Sequence, residues 1–304
     1  MYFGVNDSFY DKNQDINKIE SKAWRMKKFL WIFCAFFIMF QAVAGEKPTS
    51  LTASSSFTVR LPGNVTLELV RIPKGEFMMG SPATEAGRLD DEIQHRVTLT
   101  KDFFLGKYEV TQAQWQAVMG NNPSYFRGLR LPVENVSWHD AIQFCETLTA
   151  TGHREGWLPE NWKFTLPTEA QWEYACRAGT DTPFSYGSSS DASKMNFDGN
   201  NPYGGANRGV DRQSTVEVGS LGYRNNFGLY DMHGNVWEWC LDYYGSFSRG
   251  AVSDPVCESG SDRVLRGGCW FSYAMGCRSA SRNYYYPALR PISVGFRLAL
   301  VEVQ

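Results

Sequence analysis

Most of the side chains that could do chemistry in this 304-residue chain lie in its second half. Six of the seven cysteines, Cys145, Cys176, Cys240, Cys257, Cys269 and Cys277, follow residue 44. Thiolates are nucleophiles and soft metal donors, but no CxxC pair occurs, which removes the zinc-ribbon and thioredoxin readings. In an oxidising compartment such an even set is expected to contain disulfides, and sequence alone does not choose the pairing. A second feature is DMHGNVWE, where Asp231 and Glu238 flank a turn containing Gly234. Calcium takes about six to eight oxygen ligands, and carboxylates mixed with backbone carbonyls on a tight turn can supply them. The plainer reading is two surface carboxylates.

Other chemistries lack their residues. His95, His139, His153 and His233 show neither HxxxH nor HExxH spacing, so each reads as a surface or hydrogen-bonding histidine rather than a zinc ligand. There is no GxSxG elbow and no GxxxxGK[ST] loop, and GNNPYGG (199–205) has no lysine for phosphate. Tyr284, Tyr285 and Tyr286, with Arg290, either line a groove for sugars or extended peptides or simply pack.

These residues need elements to position them. Three helices are predicted from their caps: Thr111 with Gln114, Ser137 with Asp140, and Thr168 with Gln171. In each a hydroxyl accepts from an orphan N–H, and in the first and third the glutamine returns the bond. Gly120 and Gly179 are the expected stops, and Trp115, Phe144 and Trp172 fall on the apolar faces. Alternation predicts strands in Thr66–Ile72 and Arg96–Leu105, with others at Arg263–Leu265 and Val294–Val301. Between Gly179 and Gly228 neither period persists, so about fifty residues are expected to be ordered loop held by bound ions or disulfides.

Composition sets the frame. A net charge of -2 gives no cationic excess for a phosphate backbone, so nucleic acid is not an expected partner. Aromatic residues at 15%, with 10 Trp and 28 Gly, point to a loop-rich fold packed on aromatic side chains and exclude disorder. Phe29–Ala44 is apolar but falls short of the roughly 20 residues a spanning helix needs. With Arg25, Lys27 and Lys28 before it and Ala42-Val43-Ala44 at its end, it reads as a signal peptide, residues 26–44. An uncleaved anchor is the alternative. Met26 is the expected start, which makes residues 1–25 an extension from a mis-assigned first codon. A chain from Gly45 would carry 24 basic and 28 acidic residues. Residues 45–56 read as a polar tether and 57–304 as one domain, exported to the periplasm, the cell surface or the medium and expected to be monomeric.

Seven blocks then carry a resemblance: GEFMMGS (75–81), KYEVTQAQW (107–115), PVENVSWHDAIQFC (132–145), LPTEAQWEYACRAG (166–179), FGLYDMHGNVWEWC (227–240), RVLRGGCW (263–270) and VGFRLA (294–299). In this order the chain resembles the formylglycine-generating enzyme, or sulfatase-modifying factor, family from about residue 66 to residue 300. The resemblance implies a compact α+β fold related to C-type lectins, poor in regular secondary structure and stabilised by calcium. It implies calcium ligands at Asp231, the Gly234 and Val236 carbonyls and Glu238, and a second set at Asn196, the Phe197 carbonyl, Asp211 and the Gln213 carbonyl, where the spacing is off by one residue.

Family members that make formylglycine hold Cu(I) between two cysteine thiolates and oxidise a cysteine of an unfolded sulfatase. Here the first of those positions is Ser272, and a hydroxyl does not replace a thiolate toward Cu(I). Without a gap the second position falls on Cys277; with a short deletion Cys277 becomes a structural half-cystine whose partner is Cys176, the reading preferred here. Cys269 stands where the family usually has serine, and is either a lone reactive thiol or a disulfide partner of Cys240 or Cys257. The related nonhaem iron sulfoxide synthases take their histidines from an additional helical domain for which this chain has no length. The expected function is therefore a calcium-stabilised module binding a peptide or glycan in a groove around Trp237, Trp270, Ser272, Arg278 and Arg282. The alternative is a divergent copper oxidase using Cys269 and Cys277 as a displaced pair.

Overall fold

Alternating side chains in VTLELVRI make a strand whose Leu67, Leu69 and Ile72 are buried while Thr66 and Glu68 face water. The computed structural model describes Leu51 and residues 54–303; the Met26 start, the signal peptide and most of the tether lie outside the described residues. The strands are β1 (Ser56–Leu61), β2 (Val65–Ile72), β3 (Gly75–Met79), β4 (His95–Leu99), β5 (Phe103–Gly106), β6 (Trp162–Thr165), β7 (Trp237–Tyr243), β8 (Val252–Ser253), β9 (Arg263–Arg266), β10 (Arg282–Tyr285), β11 (Val294–Gly295) and β12 (Ala299–Glu302). The helices are α1 (Gln112–Met119), α2 (Trp138–Glu155) and α3 (Glu169–Arg177).

Three sheets result. An antiparallel sheet of order β1-β2-β5-β12-β6 carries the main core. A second, of order β10-β9-β7-β11, presents the candidate site, and a small third sheet has the order β3-β4-β8. Trp115 of α1 stacks on Phe144 of α2 at 5.6 Å, and Phe296 meets both rings edge-on. This is the core role expected of these aromatics, and Trp172 is likewise fully buried. Among the described residues no helix is long and apolar enough to cross a membrane.

All three predicted caps form, and Asp140 completes a box that the sequence reading gave only half: its carboxylate accepts from the Ser137 N–H at 2.9 Å. Gly179 is not the stop of α3. Ala178 takes the left-handed position at φ 46°, one residue earlier. Arg96–Leu105 splits into β4 and β5, and Val294–Val301 into β11 and β12, because each run crosses from one sheet to another. The tether also ends earlier than expected, since Leu51 is 3% exposed in the main core and β1 begins at Ser56.

The stretch from Gly179 to Gly228 has no helix or strand, as expected, and packing holds part of it. It carries a small core of its own, Phe184, Met195 and Phe197, closed by Ala274 and Cys277. Asn225 ties its far end to α3, donating to the carbonyls of Ala175 and Cys176 at 2.7 and 3.1 Å.

Candidate functional site

The centre of the site is the loop that leaves β9. Gly267 and Gly268 turn it with φ of 97° and 80°, a backbone that disfavours side chains. A Cβ on Gly268 would lie 2.4 Å from Cys277 Sγ, so glycine there lets the loop close over that thiol. Ser272 closes the turn. Its Oγ accepts from the Cys269 N–H at 3.0 Å and lies 3.2 Å from Cys269 Sγ, while its N–H donates to the Cys269 carbonyl at 2.9 Å. Burial pushes the Cys269 thiol up; the same cause, added to by the neighbouring Cys269, holds Cys277 well above the usual thiol range. Both thiols are unbridged and buried.

The groove drawn from the sequence is partly corrected. A Cβ at Gly276 would lie 3.7 Å from Ser272 Cβ and 4.0 Å from Trp237 Cζ2, so both flank Gly276, though Trp237 is buried. Trp270 belongs with them, edge-on to Phe126 at 5.4 Å and to Phe271 at 4.7 Å. Arg278 and Arg282 do not line it; they are 1% and 5% exposed. Arg278 grips Glu92 through both terminal nitrogens, at 2.9 and 2.6 Å, and also Glu85. Arg282 holds Glu169 bidentately at 2.7 and 2.8 Å and lies 3.9 Å from the Phe247 ring. Their chemistry is internal ion pairing, which desolvation makes obligatory once a carboxylate is buried beside them.

The Cys176–Cys277 disulfide is also corrected: both are free thiols. Across from Cys176 Sγ is Ser279 Oγ at 3.7 Å, and the His233 ring stands between Cys176 and Cys277. His233 Nδ1–H donates to the Cys277 carbonyl at 2.8 Å, and its Nε2 accepts from the Ser185 N–H at 3.0 Å. Burial pushes this imidazole down to about 4. Tyr284 packs on Tyr244 at 4.2 Å yet stays exposed, and the exposed Arg290 is paired with Asp140 at 2.7 Å.

The expected calcium turn is spent on another partner. Arg297 donates Nε to Glu238 Oε2 and Nη2 to Oε1, both at 2.7 Å, and the Trp172 indole donates to Oε2 at 2.7 Å. Asp231 accepts from the Gly219 N–H at 2.6 Å. Burial raises the carboxyl of Glu109 well above its ordinary value, and that of Asp231 to about 6, and Arg297 is the cation that answers the cluster's negative charge. Among the described residues no three His, Cys, Asp or Glu side chains gather so as to hold a metal ion. Asp231, Gly234, Val236 and Glu238 therefore do not fit the expected set. The second set fits at one atom. Asn196 donates Nδ2 to the Ser214 carbonyl at 2.9 Å and to Asn235 Oδ1 at 3.2 Å, leaving its own buried Oδ1 without a partner. Such an orphaned acceptor suits a hard cation. Asp211 instead engages the N–H of Gln213 at 3.2 Å.

With this geometry in place, comparison is informative: residues 58–301 match the sulfatase-modifying factor enzyme 1-like domain. The chain belongs to that family. It is 34% identical over 272 residues to the chaperone protein LppX of Paenibacillus barcinonensis, covering 78% of this chain and 87% of that one. It is 33% identical over 233 residues to the formylglycine-generating enzyme of Mus musculus, 70% of this chain but only 56% of the mouse protein. Among solved structures, Treponema denticola variable protein 1 superposes with a TM-score of 0.67 at 32% identity, over 81% of this chain and 99% of that one. The α+β fold expected from the sequence is thus the fold of the sulfatase-modifying factor family.

Within this family domain, sequence reading missed the aromatic rim. Tyr125 (65% exposed) meets Phe126, and Phe271, Tyr273 and Met275 also reach solvent beside Ser272. A proline followed by aromatics in NNPSYF, on a loop, was the available signal. The residue that holds this rim is Glu134: its Oε1 accepts from the Phe126 N–H at 2.9 Å, while its buried Oε2 has no partner. Burial pushes this carboxyl up to about 7. The folded state then binds more protons than the unfolded chain between about pH 4.5 and 7, so stability is lost as pH rises through that window. Replacing Glu134 with glutamine is expected to remove about 2 kcal/mol of that pH dependence. Urea unfolding at pH 5 and pH 8 measures it, and an unchanged difference between the two pH values would refute the assignment.

Proposed function

We propose that this chain is an exported, monomeric, protein-binding member of the sulfatase-modifying factor family without dithiol copper oxidase activity. The observation that supports this is the hydroxyl of Ser272, a hard donor 3.2 Å from Cys269 Sγ, where two soft thiolates would be needed. Burial of Cys269 and Cys277 acts in the same direction, since it holds both thiols protonated at neutral pH. The ligand would lie across Trp270 and Ser272, with Trp237 buried beneath, against the rim of Tyr125, Phe126 and Phe271. The name of the Paenibacillus relative, a chaperone, favours a peptide over a glycan among the ligands such aromatic surfaces take. Calcium belongs to the proposal only beside Asn196, with the Phe197 carbonyl as its neighbour.

A displaced oxidase pair is the second reading, favoured by one observation: Cys269 and Cys277 are free and close enough for Cys269 to raise the Cys277 thiol. Copper titration separates the two. The chain as it stands is expected to hold no stoichiometric Cu(I) and to leave a CxPxR peptide unoxidised, whereas Ser272→Cys, which supplies the missing sulfur beside Cys269, gains about one Cu(I) per chain. One Cu(I) per unmodified chain together with peptide turnover would overturn the binding reading.

A further inference from the structure

β3, β4, the first turn of α3 and the segment 245–257 that follows β7 border a cavity of about 240 Å³. None of the residues of the Ser272 site lines it. Met79 and Ala170, each 2% exposed, give it an apolar lining, which Phe247 and Val252 continue. Three buried charged side chains, Glu169, Asp242 and Arg282, line it as well.

These charges do not balance. Arg282 is spent on Glu169, which it holds through two nitrogens at 2.7 and 2.8 Å, and it also donates to the Gly245 carbonyl at 3.0 Å. Asp242 has neutral donors alone: the Cys257 N–H at 2.9 Å and the Glu169 N–H at 2.8 Å. The second of these opens α3, so the helix end contributes part of a positive charge, but among the described residues no side-chain cation is in ion-pair contact with Asp242. Arg263 feels its charge yet is stacked on Trp138 and Tyr243, 3.7 and 3.4 Å from their ring centres, and does not line the cavity. Burial, with the charge of Glu169 added, pushes the Asp242 carboxyl up to about 7.

We propose that this cavity binds a small organic ammonium, the head group meeting Asp242 and the apolar body lying on Met79, Ala170 and Phe247. Each Asp242 oxygen accepts one N–H and keeps a lone pair for a further donor. A buried carboxylate without a cation attracts one more strongly than a surface carboxylate does, and it rejects an anion of the same shape. The volume lies just below the roughly 300–1000 Å³ of drug-sized sites, which limits the ligand to a short chain. The site is separate from the Ser272 surface and stands whether or not that surface binds peptides.

Binding is then linked to pH, because the arriving ammonium takes the place of a proton on Asp242. The other titratable and charged groups packed around that carboxyl are Glu169 of α3, Arg263 of β9, Arg282 of β10, His95 of β4 and the thiols of Cys240 and Cys257.

The test is calorimetric titration of the full chain with hexylamine, 1-hexanol and hexanoate, each run in two buffers of different ionisation enthalpy. Hexylamine is expected to bind saturably and at least about tenfold more tightly than the other two. The buffer comparison should show about 0.7 proton released per amine bound at pH 6.5 and almost none at pH 8.5, where Asp242 is already ionised. Asp242→Asn should lose both the preference and the release. Hexanol binding as tightly as hexylamine, amine binding at pH 6.5 without proton release, or an Asp242→Asn chain that still releases the proton would overturn the proposal, the last by moving the titration to His95 or a thiol. The two-buffer comparison is made on the unaltered chain and decides the matter even if the variant does not fold.

Discussion

Replacing Arg297 with leucine is expected to cost about 3–5 kcal/mol of folding free energy, because it strands a buried carboxylate rather than removing a pair. Arg297 is fully buried and bidentate on Glu238, and it donates to the carbonyls of Gly106 and Tyr230 at 3.0 Å each. Glu109 and Asp231 lie close enough for their charges to bear on it. Removing the guanidinium leaves three carboxyls with no cation among them. Lysine would restore the charge but not the fork, so Arg297→Lys should recover only part of the loss. The double variant Arg297→Leu/Glu238→Leu should be less damaged than Arg297→Leu alone, since it leaves two rather than three buried carboxyls without a cation. Urea unfolding of the three variants measures this, and a loss below about 1 kcal/mol for Arg297→Leu would show that the pair carries little.

A loss of similar size, about 3–5 kcal/mol, is expected for Arg278→Met, but with a local outcome. Arg278 is the common partner of Glu85 and Glu92, whose side chains are 5% and 0% exposed, and it donates to the Gly87 carbonyl at 3.1 Å. These contacts fasten the segment between β3 and β4 to the Ser272 loop. Without them residues 82–92 should open before the rest of the fold. Hydrogen exchange at Ser81, whose N–H donates to the Glu92 carbonyl at 3.0 Å, reports that opening. If protection there is unchanged while global stability falls, Arg278 is not what fastens the segment. A lining role in a groove would predict the reverse pattern, weaker ligand binding with stability intact.

Arg278 also shows where the sequence ceased to be legible. The caps of α1, α2 and α3 lie within three residues of their partners, so local chemistry revealed them. The role of Arg278 depends on carboxylates 186 and 193 positions away, and that of Arg282 on Glu169, 113 positions away. No periodicity encodes such pairings, and an arginine followed by small residues reads equally well as exposed. Cys176 failed for a related reason. Its neighbour across the fold is Ser279, two residues beyond the expected Cys277, and a two-residue shift inside a loop leaves no trace in the sequence. The calcium turn was recognised as a place where charge gathers, which it is, but the countercharge comes from Arg297 of the VGFRLA block. What the seven blocks did reveal was the family and with it the order of the elements.

The long irregular stretch and the Ser272 loop are two segments in sequence but one body in packing. Phe184, Met195 and Phe197 share their core with Ala274 and Cys277. The Asp198 N–H donates to the Ser272 carbonyl at 2.9 Å, and the Ala274 N–H to that of Asn201 at 3.1 Å. Anything that seats itself on the Ser272 surface must therefore drag this neighbour with it, so a signal of occupancy will surface around Asn201, far along the chain from the residues that touch the guest.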